Sequence, residues 1–482
     1  MILSELIKSI EPRAVIGSLE REVCGIEFDS RRVERGSLFV AQTGTSVDGH
    51  TFIDSCVKNG AVAIVLSDRS YLPEAEIEGV TYILVSDSNR ALGLIASTWF
   101  GEPSKHITLV GVTGTNGKTT IATLLYKLLQ SLGHKAGLLS TVVNYVDQEA
   151  VPSTHTTPDA IALNGLLRRM VDAGCEYAFM EVSSHSIAQE RIAGLDFDGA
   201  LFTNLTRDHI DYHKTFDNYR DTKKRLFDNL KKSAFAVTNK DDKNGLVMTQ
   251  NCKAKVYTYS TRAMADYRAQ ILEEGFDGMQ LVLDGQEVFV PLVGRFNVSN
   301  LLCIYGAARG LGLDKTEVLR VLSTLSAVNG RFETIRSPKG WTAIVDYAHT
   351  PDAVENVIST INEIRKGRLI TVVGCGGNRD KGKRPMMAQL AKQGSDQLIL
   401  TSDNPRDEEP ADILNDMLAG LTEDEKLSTL VIEDRRQAIR TACTLAKFGD
   451  VILVAGKGHE DYQIIKGVKH HFDDHEEIKN MI

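Results

Sequence analysis

A glycine-rich turn between an apolar stretch and an amphipathic stretch constrains the fold of this chain more than any other feature. The turn, residues 111 to 120, follows the apolar run Ile107 to Val112 and reads Gly-Val-Thr-Gly-Thr-Asn-Gly-Lys-Thr-Thr. A helical pattern begins near Lys118, and Gly133 would cap it. Strand, tight turn and helix in this order are typical of an α/β domain with a mostly parallel sheet.

The same turn has the composition of a phosphate-binding loop. Its glycines let backbone N–H groups close around phosphate oxygens, and the start of the helix adds a favourable dipole. Lys118 is expected to hold the β- and γ-phosphates, and Thr119 to ligate Mg²⁺. The spacing departs from the strict motif because Val112 stands where that motif has glycine. A chance Gly/Thr-rich turn is the alternative. The predicted ATP-binding residues of the turn are Gly111, Val112, Thr113, Gly114, Thr115, Asn116, Gly117, Lys118, Thr119 and Thr120.

A carboxylate at the end of a neighbouring strand would complete such a site by holding the metal. Glu181 ends the apolar run Tyr-Ala-Phe-Met-Glu and is predicted to do this, although a strand-end glutamate is more often an ion-pair partner. His209 and His213 lie in the acidic loop that follows Asn204. We expect His209 to contact metal or phosphate, and we leave His213 open between that role and a hydrogen-bonded loop residue.

A lysine falls on the apolar face of the predicted helix from Phe216 to Leu230. A 3.6-residue wheel places Lys223 inside the apolar stripe, and Lys224 and Arg225 outside it as solvated charges. The stripe comprises Tyr219, Leu226, Phe227 and Leu230. An inward lysine must be paired or lose its charge, and a neutral amine can take up CO₂ to form a carbamate that binds Mg²⁺. The wheel alone favours the alternative, a lysine whose stem packs on the core while its amine reaches solvent.

The C-terminal part repeats one theme, an apolar strand whose carboxyl end runs into a polar or Gly-rich loop. In an open α/β sheet, ligands bind outside the carboxyl ends of the strands. All four polar clusters are therefore predicted to face one crevice, with coincidental surface loops as the alternative. The four stretches are residues 342–352, 369–385, 397–410 and 450–463.

Length and composition limit the class of protein. A chain of 482 residues is too long for one core and suggests several domains. Hydrophobic content of 42% with 25% charged residues is typical of a globular protein, and no apolar run is long enough to cross a bilayer. The N-terminus does not resemble a signal peptide, so a cytoplasmic location is expected, with no membrane partner.

Charge and cysteine usage exclude further classes. A net charge of −9 argues against nucleic-acid binding. The seven cysteines are scattered and form no Cys-x-x-Cys pair, so reduced and mostly buried thiols are expected instead of disulfides or a zinc site. A monomer is expected. The predicted fold class is α/β, with predicted domains at 1–100, 101–330 and 331–482 and a linker near residues 100–106.

Four stretches together resemble the Mur ligase family, and they occur in that family's order. They are the glycine-rich turn, the Glu-Val-Ser-Ser-His stretch at 181–185, the segment 203–213 and the helix that carries Lys223. The resemblance covers essentially the whole chain; folylpolyglutamate synthases share the scheme more distantly. It implies a small α/β N-terminal domain that binds a UDP-linked substrate, a central ATP-binding domain, and a C-terminal Rossmann-like domain that binds an amino acid.

The resemblance also implies roles for individual residues. Lys223 would be the family's carbamylated lysine (N6-carboxylysine) and would bind Mg²⁺ with Thr119, Glu181 and His209. Asn300 would contact the adenine, and Arg331, Asp346 and His349 would reach ATP from the C-terminal domain. The UDP part would be bound by Phe28, Ser30, Thr45, Ser46 and Val47. The muramoyl-dipeptide part would be held by His155, Thr156, Thr157, Ser183, Gln189 and Arg191. His155 stands where some members have asparagine, and we expect it to keep the hydrogen-bonding role.

The Asp-Asn-Pro-Arg stretch, 403–406, bears on the amino acid that is added. This form occurs in members that add meso-diaminopimelate, whereas lysine-adding members often lack the arginine. Diaminopimelate carries an extra distal carboxylate, which an arginine fork can bind bidentately. A surface ion pair is the alternative for Arg406. The residues expected to bind the amino acid are Arg379, Asp403, Asn404, Pro405, Arg406, Gly456 and Glu460.

These roles imply one reaction and leave rivals to weigh. ATP would phosphorylate the free carboxylate of UDP-N-acetylmuramoyl-L-alanyl-D-glutamate, and the amine of meso-diaminopimelate would displace phosphate. The same ligase chemistry with L-lysine is opposed by Arg406. A folylpolyglutamate synthase is opposed by the N-terminal segment and the 403–406 stretch. A P-loop nucleotide switch would leave the C-terminal strand-end clusters without a role.

Overall fold

The computed structural model describes residues 1–44, 47–153 and 155–482. Its first segment is a small α/β unit in which the described residues form one sheet of order β1-β5-β4-β3-β2. Neighbouring strands are parallel except for β1, which pairs antiparallel with β5. The strands are β1 (Ala14–Ile16), β2 (Gly25–Glu27), β3 (Ser37–Val40), β4 (Ala63–Leu66) and β5 (Thr81–Leu84). The helices are α1 (Leu3–Leu6), α2 (Ile53–Lys58) and α3 (Ser88–Trp99).

The second segment contains the largest described sheet, whose centre is parallel. Its strands are β6 (Thr108–Thr113), β7 (Ala136–Leu139), β8 (Val143–Val146), β9 (Glu149–Pro152), β10 (Tyr177–Glu181), β11 (Gly199–Phe202), β12 (Phe235–Asn239), β13 (Lys255–Ser260), β14 (Tyr267–Gly275), β15 (Gly278–Leu283) and β16 (Gln286–Val290). The order is β16-β15-β14-β13-β12-β11-β6-β10-β7-β8-β9, with antiparallel pairs only toward the two ends. This order places the glycine-rich turn after β6 between the ends of β11 and β10.

Helices cover both faces of this sheet. They are α4 (Lys118–Ser131), α5 (Ala160–Asp172), α6 (Ser184–Ala188), α7 (Ile210–His213), α8 (Phe216–Asp228), α9 (Gly245–Met248), α10 (Arg295–Gly310) and α11 (Lys315–Leu322). Helix α4 begins at Lys118, as predicted, and Gly133 lies just beyond its end with φ +88°. Only glycine takes that left-handed backbone without strain, so it ends the helix at low cost. The predicted strand–turn–helix context of the turn is therefore confirmed.

The third segment is a second parallel α/β sheet of order β17-β18-β22-β19-β20-β21, with β17 antiparallel at one edge. Its strands, with a separate hairpin β23–β24, are β17 (Glu333–Arg336), β18 (Thr342–Asp346), β19 (Leu369–Val373), β20 (Gln397–Leu400), β21 (Thr429–Val431), β22 (Val451–Ala455), β23 (Tyr462–Ile465) and β24 (Val468–His471). The helices are α12 (Pro351–Ile364), α13 (Lys383–Gly394), α14 (Pro410–Leu418), α15 (Glu423–Leu427), α16 (Arg435–Leu445) and α17 (Asp474–Lys479). Its central strands are apolar on both faces because helices cover both.

The predicted α/β fold class is thus confirmed. All seven cysteines lie in the described residues, where none forms a disulfide. Most of them are buried, as expected. Among the helices that the structure describes, none is both long and apolar enough to span a bilayer.

Candidate active site

The glycine-rich turn is shaped by the loop that follows β11. Asn204 accepts the Thr115 N–H through its backbone oxygen (2.8 Å) and the Asn116 N–H through its side-chain oxygen (2.9 Å). The Thr203 hydroxyl donates to the Asn116 carbonyl at 2.6 Å. Gly117 has φ +88°, and a Cβ there would lie 2.6 Å from the Asn300 side-chain oxygen. The turn is therefore fixed from outside, and a side chain at Gly117 would collide with Asn300.

The first residues of the predicted ATP set lie deeper than the turn. Gly111, Val112 and Thr113 belong to β6 and are buried. A Cβ at Gly111 would approach the Phe197 ring to 2.8 Å, so close packing explains that glycine. Thr120 is likewise buried, in α4. The members that line a cavity are Thr115, Asn116, Gly117, Lys118 and Thr119.

Two lysine amines meet at one backbone oxygen under the turn. Lys118 Nζ donates to the carbonyls of Gly114 (3.0 Å) and Thr115 (2.8 Å), and Lys223 Nζ donates to the same Gly114 oxygen at 2.8 Å. Burial lowers the pKa of Lys118, and burial together with the Lys118 charge holds the pKa of Lys223 well below its usual range. A buried amine with a depressed pKa has the neutral form that carbamate formation requires.

The helix wheel placed Lys223 on the correct face, but the solvent-reaching amine that it favoured is wrong, because the amine is buried against the Gly114 carbonyl. The wheel was also wrong about the neighbouring Lys224. Lys223 is 1% exposed on the inner face of α8, beside the Tyr219 ring. Lys224, predicted to be a solvated charge, is also buried, because its amine pairs with Asp228 one turn further along the helix. Arg225 is partly exposed and pairs with Glu190. A wheel gives the direction of Cβ but not the path of a long side chain.

A cavity of about 630 Å³ extends from the turn to the C-terminal sheet. Each of the four predicted strand-end clusters contributes to its lining, so the prediction that they face one crevice is confirmed. The lining residues from these clusters are Tyr347, His349, Pro351, Asp352, Gly376, Arg379, Asp380, Lys383, Asp403, Asn404, Arg406, Gly456 and Glu460.

Oxygen donors suited to Mg²⁺ lie at the phosphate end of this cavity. Glu181, at the carboxyl end of β10, is 1% exposed and accepts the Thr141 N–H at 2.8 Å. Thr119 and His209 line the same wall, and His209 Nε2 lies 3.3 Å from Asp208. Among the described residues, no three His, Cys, Asp or Glu side chains are grouped as a metal site. The donors present fit Mg²⁺, which keeps several waters and usually takes one or two carboxylates together with phosphate oxygens.

His213, left open by the sequence, packs away from the cavity. It is 6% exposed, and its ring lies 5.2 Å from Tyr219 and 5.7 Å from His185. Burial lowers its pKa to about 4. These contacts favour a packing role.

The C-terminal segment brings the guanidinium of Arg331 against the glycine-rich turn and the start of α4. Arg331 Nη2 donates to the Thr119 hydroxyl at 3.0 Å, and its guanidinium lies 4.5 Å from the centre of the Tyr347 ring. Asp346 supports this arrangement from below, because its carboxylate accepts the backbone N–H groups of Phe332 and Ala348 at 2.7 Å each. Burial raises the pKa of Asp346. Asp346 is absent from the cavity lining, so it positions Arg331 through the backbone.

His349 lines the same cavity from the loop that follows β18. Its ring Nδ1 lies 2.8 Å from the Tyr347 carbonyl oxygen, and burial lowers its pKa to about 4. Lys383, which the sequence reasoning did not select, donates to the His349 carbonyl at 2.9 Å.

A second, smaller cavity of about 240 Å³ lies between the N-terminal and middle segments. Among the predicted UDP-substrate residues it is lined by Phe28, His155, Gln189 and Arg191. Ser30 and Val47 do not line it, and the predicted residues Thr45 and Ser46 lie outside the described residues. The lining also includes Gln42, Asn89 and Asp159, which the sequence did not single out.

Two threonines join the cavities. Arg191 donates to the Thr157 carbonyl at 2.8 Å, and the Thr157 hydroxyl donates to the Glu181 carbonyl at 2.8 Å. Thr156 lines the larger cavity. Ser183 caps α6 and its N–H donates to the Thr157 hydroxyl at 3.2 Å. The chain from His155, which lines the smaller cavity, to Thr157 therefore runs toward Glu181.

The far end of the large cavity carries the 403–406 stretch. Arg406 has φ +54°, and its N–H donates to the Ile464 carbonyl of β23 at 3.0 Å. Its guanidinium donates to the Gly377 carbonyl at 2.8 Å. Among the ion pairs of the described residues none involves Arg406, which weighs against the surface ion-pair alternative. Arg379 lines the same end, whereas Pro405 is buried behind it.

Several cavity residues escaped the sequence reasoning. Burial raises the pKa of the Asp208 carboxyl, but the surrounding basic side chains of His209, His349, Lys383 and Lys118 outweigh burial, and the pKa is lowered. Asp352 accepts from the Asn116 amide at 2.9 Å and so carries a C-terminal carboxylate onto the turn. Each lies in a strand-end loop that was selected; which residue of the loop faces inward depends on packing between segments.

Three family models match this chain. The Mur ligase family catalytic domain matches residues 22–100, the Mur ligase middle domain residues 112–308, and the Mur ligase glutamate ligase domain residues 330–458. The chain therefore belongs to the Mur ligase family. The first two matched segments fall inside the first two predicted domains, and the third begins one residue before the predicted third domain. The exact domain boundaries stay a prediction.

Curated relatives and a solved structure that share one enzyme name are similar to this chain over its full length. The chain is 62% identical to the UDP-N-acetylmuramoyl-L-alanyl-D-glutamate–2,6-diaminopimelate ligase of Parabacteroides distasonis, over 100% of this chain and 99% of that protein. It is 59% identical to the protein of the same name from Phocaeicola vulgatus, with the same coverage. A solved structure of a ligase of that name superposes with a TM-score of 0.68 at 34% identity, covering 100% of this chain and 98% of the other.

Proposed function

We propose that this protein is an ATP-dependent ligase that joins meso-diaminopimelate to the D-glutamate of UDP-N-acetylmuramoyl-L-alanyl-D-glutamate, a step of peptidoglycan precursor synthesis. The full-length identity to ligases of that name supports the proposal. One structural observation carries it: the phosphate turn and the arginine-bearing 403–406 stretch line the same cavity. A phosphoryl acceptor and an incoming amine can therefore meet in one enclosed space.

The substrates divide among the predicted domains. The UDP-linked substrate occupies the smaller cavity beside Phe28, His155 and Arg191, and its dipeptide extends past Thr157 to Glu181. ATP lies on the turn, with its phosphates between Lys118 and Arg331. Asn300 lies against Gly117 at the back of the turn, and its predicted contact with adenine belongs to this proposal.

The first chemical step is phosphoryl transfer. The free side-chain carboxylate of the D-glutamate attacks the γ-phosphorus, a new O–P bond forms, and the bond to the β,γ-bridging oxygen breaks to release ADP. Lys118 and Arg331 neutralise charge on the transferred group, which is the main catalytic need of such a step. Mg²⁺, held by Thr119, Glu181, His209 and the Lys223 carbamate, would supply further charge neutralisation at the phosphate oxygens.

The second step is amide formation. The uncharged amine of diaminopimelate attacks the acyl-phosphate carbonyl, the tetrahedral intermediate expels inorganic phosphate, and the nitrogen loses a proton. Enclosure protects the acyl-phosphate from water. Arg331 on Thr119, and Asp352 on Asn116, bring the C-terminal segment against the turn and provide this enclosure.

Recognition of the amino acid takes place at the far end of the cavity. The Arg406 and Arg379 guanidinium groups can bind the distal carboxylate, and the Glu460 carboxylate can pair with the distal ammonium. Lysine lacks that carboxylate and would leave both guanidinium groups without the charged partner that diaminopimelate supplies. We further propose a monomer in the cytoplasm, with neither nucleic acid nor membrane as partner.

A phosphate-release assay tests the proposal. Purified protein is given ATP, Mg²⁺, the UDP-linked dipeptide and a panel of amino acids, and the product is checked by mass spectrometry for a new amide bond. We expect phosphate release that depends on both the dipeptide and meso-diaminopimelate, and little release with L-lysine. ATP hydrolysis without either substrate would instead indicate a nucleotide switch, and ATP consumption without amide formation would refute the ligase reaction.

A further inference from the structure

A buried lysine lies behind the amino-acid end of the cavity. Lys457 follows β22 and is 0% exposed, so it cannot touch a substrate. Its Nζ lies 3.3 Å from the Asn404 side-chain oxygen, 3.3 Å from Glu460 Oε2 and 3.8 Å from Asp403 Oδ1. These three partners all line the cavity. The lysine therefore contacts, from the protein side, groups that a substrate would contact from the cavity side.

Lys457 fixes which way the Asn404 amide faces. A lysine amine only donates, so the atom of Asn404 that faces it must be the carbonyl oxygen. That oxygen also accepts the Ile464 N–H at 2.9 Å. The amide nitrogen is thereby directed at Glu460 Oε2, which it reaches at 2.7 Å. With the two donors in place, the flipped amide would set N–H groups against N–H groups.

The same amine compensates two neighbouring carboxylates. The side chains of Asp403 and Glu460 are only 7% and 12% exposed, and their charges repel one another in a region with little water. Removing the central cation would leave buried negative charge uncompensated, which is costly. One carboxyl group would then take up a proton or turn outward. Within the described part of the chain, both side-chain hydrogen bonds of Glu460 use Oε2, so its other oxygen is available to a ligand's ammonium.

We propose that Lys457 is a positioning residue for the amino-acid substrate: it holds the Asn404 amide and the Glu460 carboxylate in the orientation that binds the distal end of diaminopimelate. The inference rests on the proposed function and adds a residue that acts on specificity without touching the ligand. Because the ATP and UDP-substrate regions lie elsewhere, its loss should affect one substrate selectively.

The test compares Lys457→Met, which keeps the length of the side chain but removes its charge and donors, with Lys366→Met, an exposed lysine of the same segment. KM is measured separately for meso-diaminopimelate, ATP and the UDP-linked dipeptide. For Lys457→Met we expect KM for diaminopimelate to rise about ten- to a hundredfold, as for loss of a hydrogen bond to a charged group, while the other two KM values stay unchanged. Lys366→Met should match the parent in all three.

Lys457→Gln gives a second reading because it keeps an N–H donor without the charge. It should give a smaller rise in KM for diaminopimelate. Unchanged KM for diaminopimelate in both variants would overturn the inference, and so would a parallel rise of all three KM values with a lower Tm. Loss of soluble protein in both variants would also overturn it, since Lys457 would then act on folding. A parent protein that makes no amide bond would instead refute the proposed function.

Discussion

The two ends of the large cavity handle charge in opposite ways. At the phosphate end, the amines of Lys118 and Lys223 donate hydrogen bonds to a backbone carbonyl, and Arg331 donates to a threonine hydroxyl. At the amino-acid end, cations and carboxylates alternate, with Lys457 between Asp403 and Glu460. At the first end the direct hydrogen-bond partners of these side chains are neutral oxygens, and the Asp208 carboxylate acts on Lys118 without a direct ion pair. At the second end the cation and the carboxylates pair directly.

This difference follows from the ligands each end would take. A polyphosphate brings several negative charges, so a site built for it keeps cations that form no direct ion pair with a carboxylate. An amino acid brings charges of both signs, and a matched set of donors and acceptors selects its geometry more than it attracts it. Loss of a cation should therefore abolish chemistry at the first end and change substrate preference at the second.

The largest effect is expected for Lys118→Ala. The substitution removes the amine nearest to the transferred phosphoryl group, and we expect kcat for ATP-dependent amide formation to fall about a thousandfold, as when a preorganised charge-stabilising donor is lost. The measurement is product formation at saturating substrates. Lys232→Ala, an exposed lysine of the same segment, is the control and should retain parental kcat. A kcat loss shared by both variants would contradict the role given to Lys118.

Lys223→Ala comes next and tests the carbamate. The buried amine, with its strongly lowered pKa, is suited to carbamylation. We expect kcat to fall about a hundredfold, because a charge that stabilises the transferred group is lost. Added acetate or bicarbonate should restore part of the activity, since a short carboxylate can replace the missing anion. The same additions should not help Lys118→Ala; equal rescue of both variants, or of neither, would argue against a carbamate.

Sequence alone reached further at the phosphate end than at the amino-acid end. The glycine-rich turn lies directly between a strand and a helix in the sequence, and Glu181 ends its own strand. The local sequence pattern was therefore enough to predict their positions in the fold. Helical periodicity predicted the inward position of Lys223. It did not predict the burial of Lys224, whose flexible side chain pairs with Asp228 one turn further along the helix. The strand-end rule also predicted that the C-terminal loops meet in one crevice.

The contacts between segments could not be predicted from the sequence. Asp352 reaches Asn116, and Arg331 reaches Thr119, across a boundary that no local pattern describes. Lys457 was overlooked for a related reason: a lysine between glycines is typical of a surface loop, and its burial depends on distant contacts such as the Tyr462 ring of β23, 5.6 Å from its amine. Roles such as that of Asn300 depend on a bound ligand and stay predictions.

Arg406→Ala tests the selective end of the comparison. Loss of the guanidinium removes the predicted partner of the distal carboxylate, so KM for meso-diaminopimelate should rise about ten- to a hundredfold, as for a charged hydrogen bond. KM for ATP should stay unchanged, and the ratio of kcat/KM for diaminopimelate over L-lysine should fall. Steady-state kinetics with both amino acids measure this. Arg440→Ala, exposed on α16, is the control; an equal rise in KM for ATP would show that the effect is not local.

The smallest catalytic effect, and a measurable effect on stability, is expected beneath the amino-acid end. Arg384 is 0% exposed and its guanidinium donates to Glu408 at 2.8 and 2.9 Å and to Asp416 at 2.8 Å. These hydrogen bonds hold the pKa of Glu408 at about 2, below its ordinary 4.5. Glu408→Gln weakens a charged pair whose arginine is buried and whose carboxylate is partly exposed, so the free energy of unfolding at neutral pH should fall by roughly 2 kcal/mol. Glu423→Gln, whose pair with Lys426 is exposed, should change it little.

The pH dependence of unfolding separates this pair from a general loss of packing. Because the pKa of Glu408 is lower in the folded protein than in the unfolded chain, its contribution is complete above about pH 4.5 and is lost as the pH falls toward 2. The parent should therefore lose stability over that interval more steeply than Glu408→Gln, so their unfolding curves should converge in acid. Denaturant titrations between pH 7 and pH 3 measure this. A constant difference across the range would mean that Glu408 stabilises the protein by packing and not through its charge.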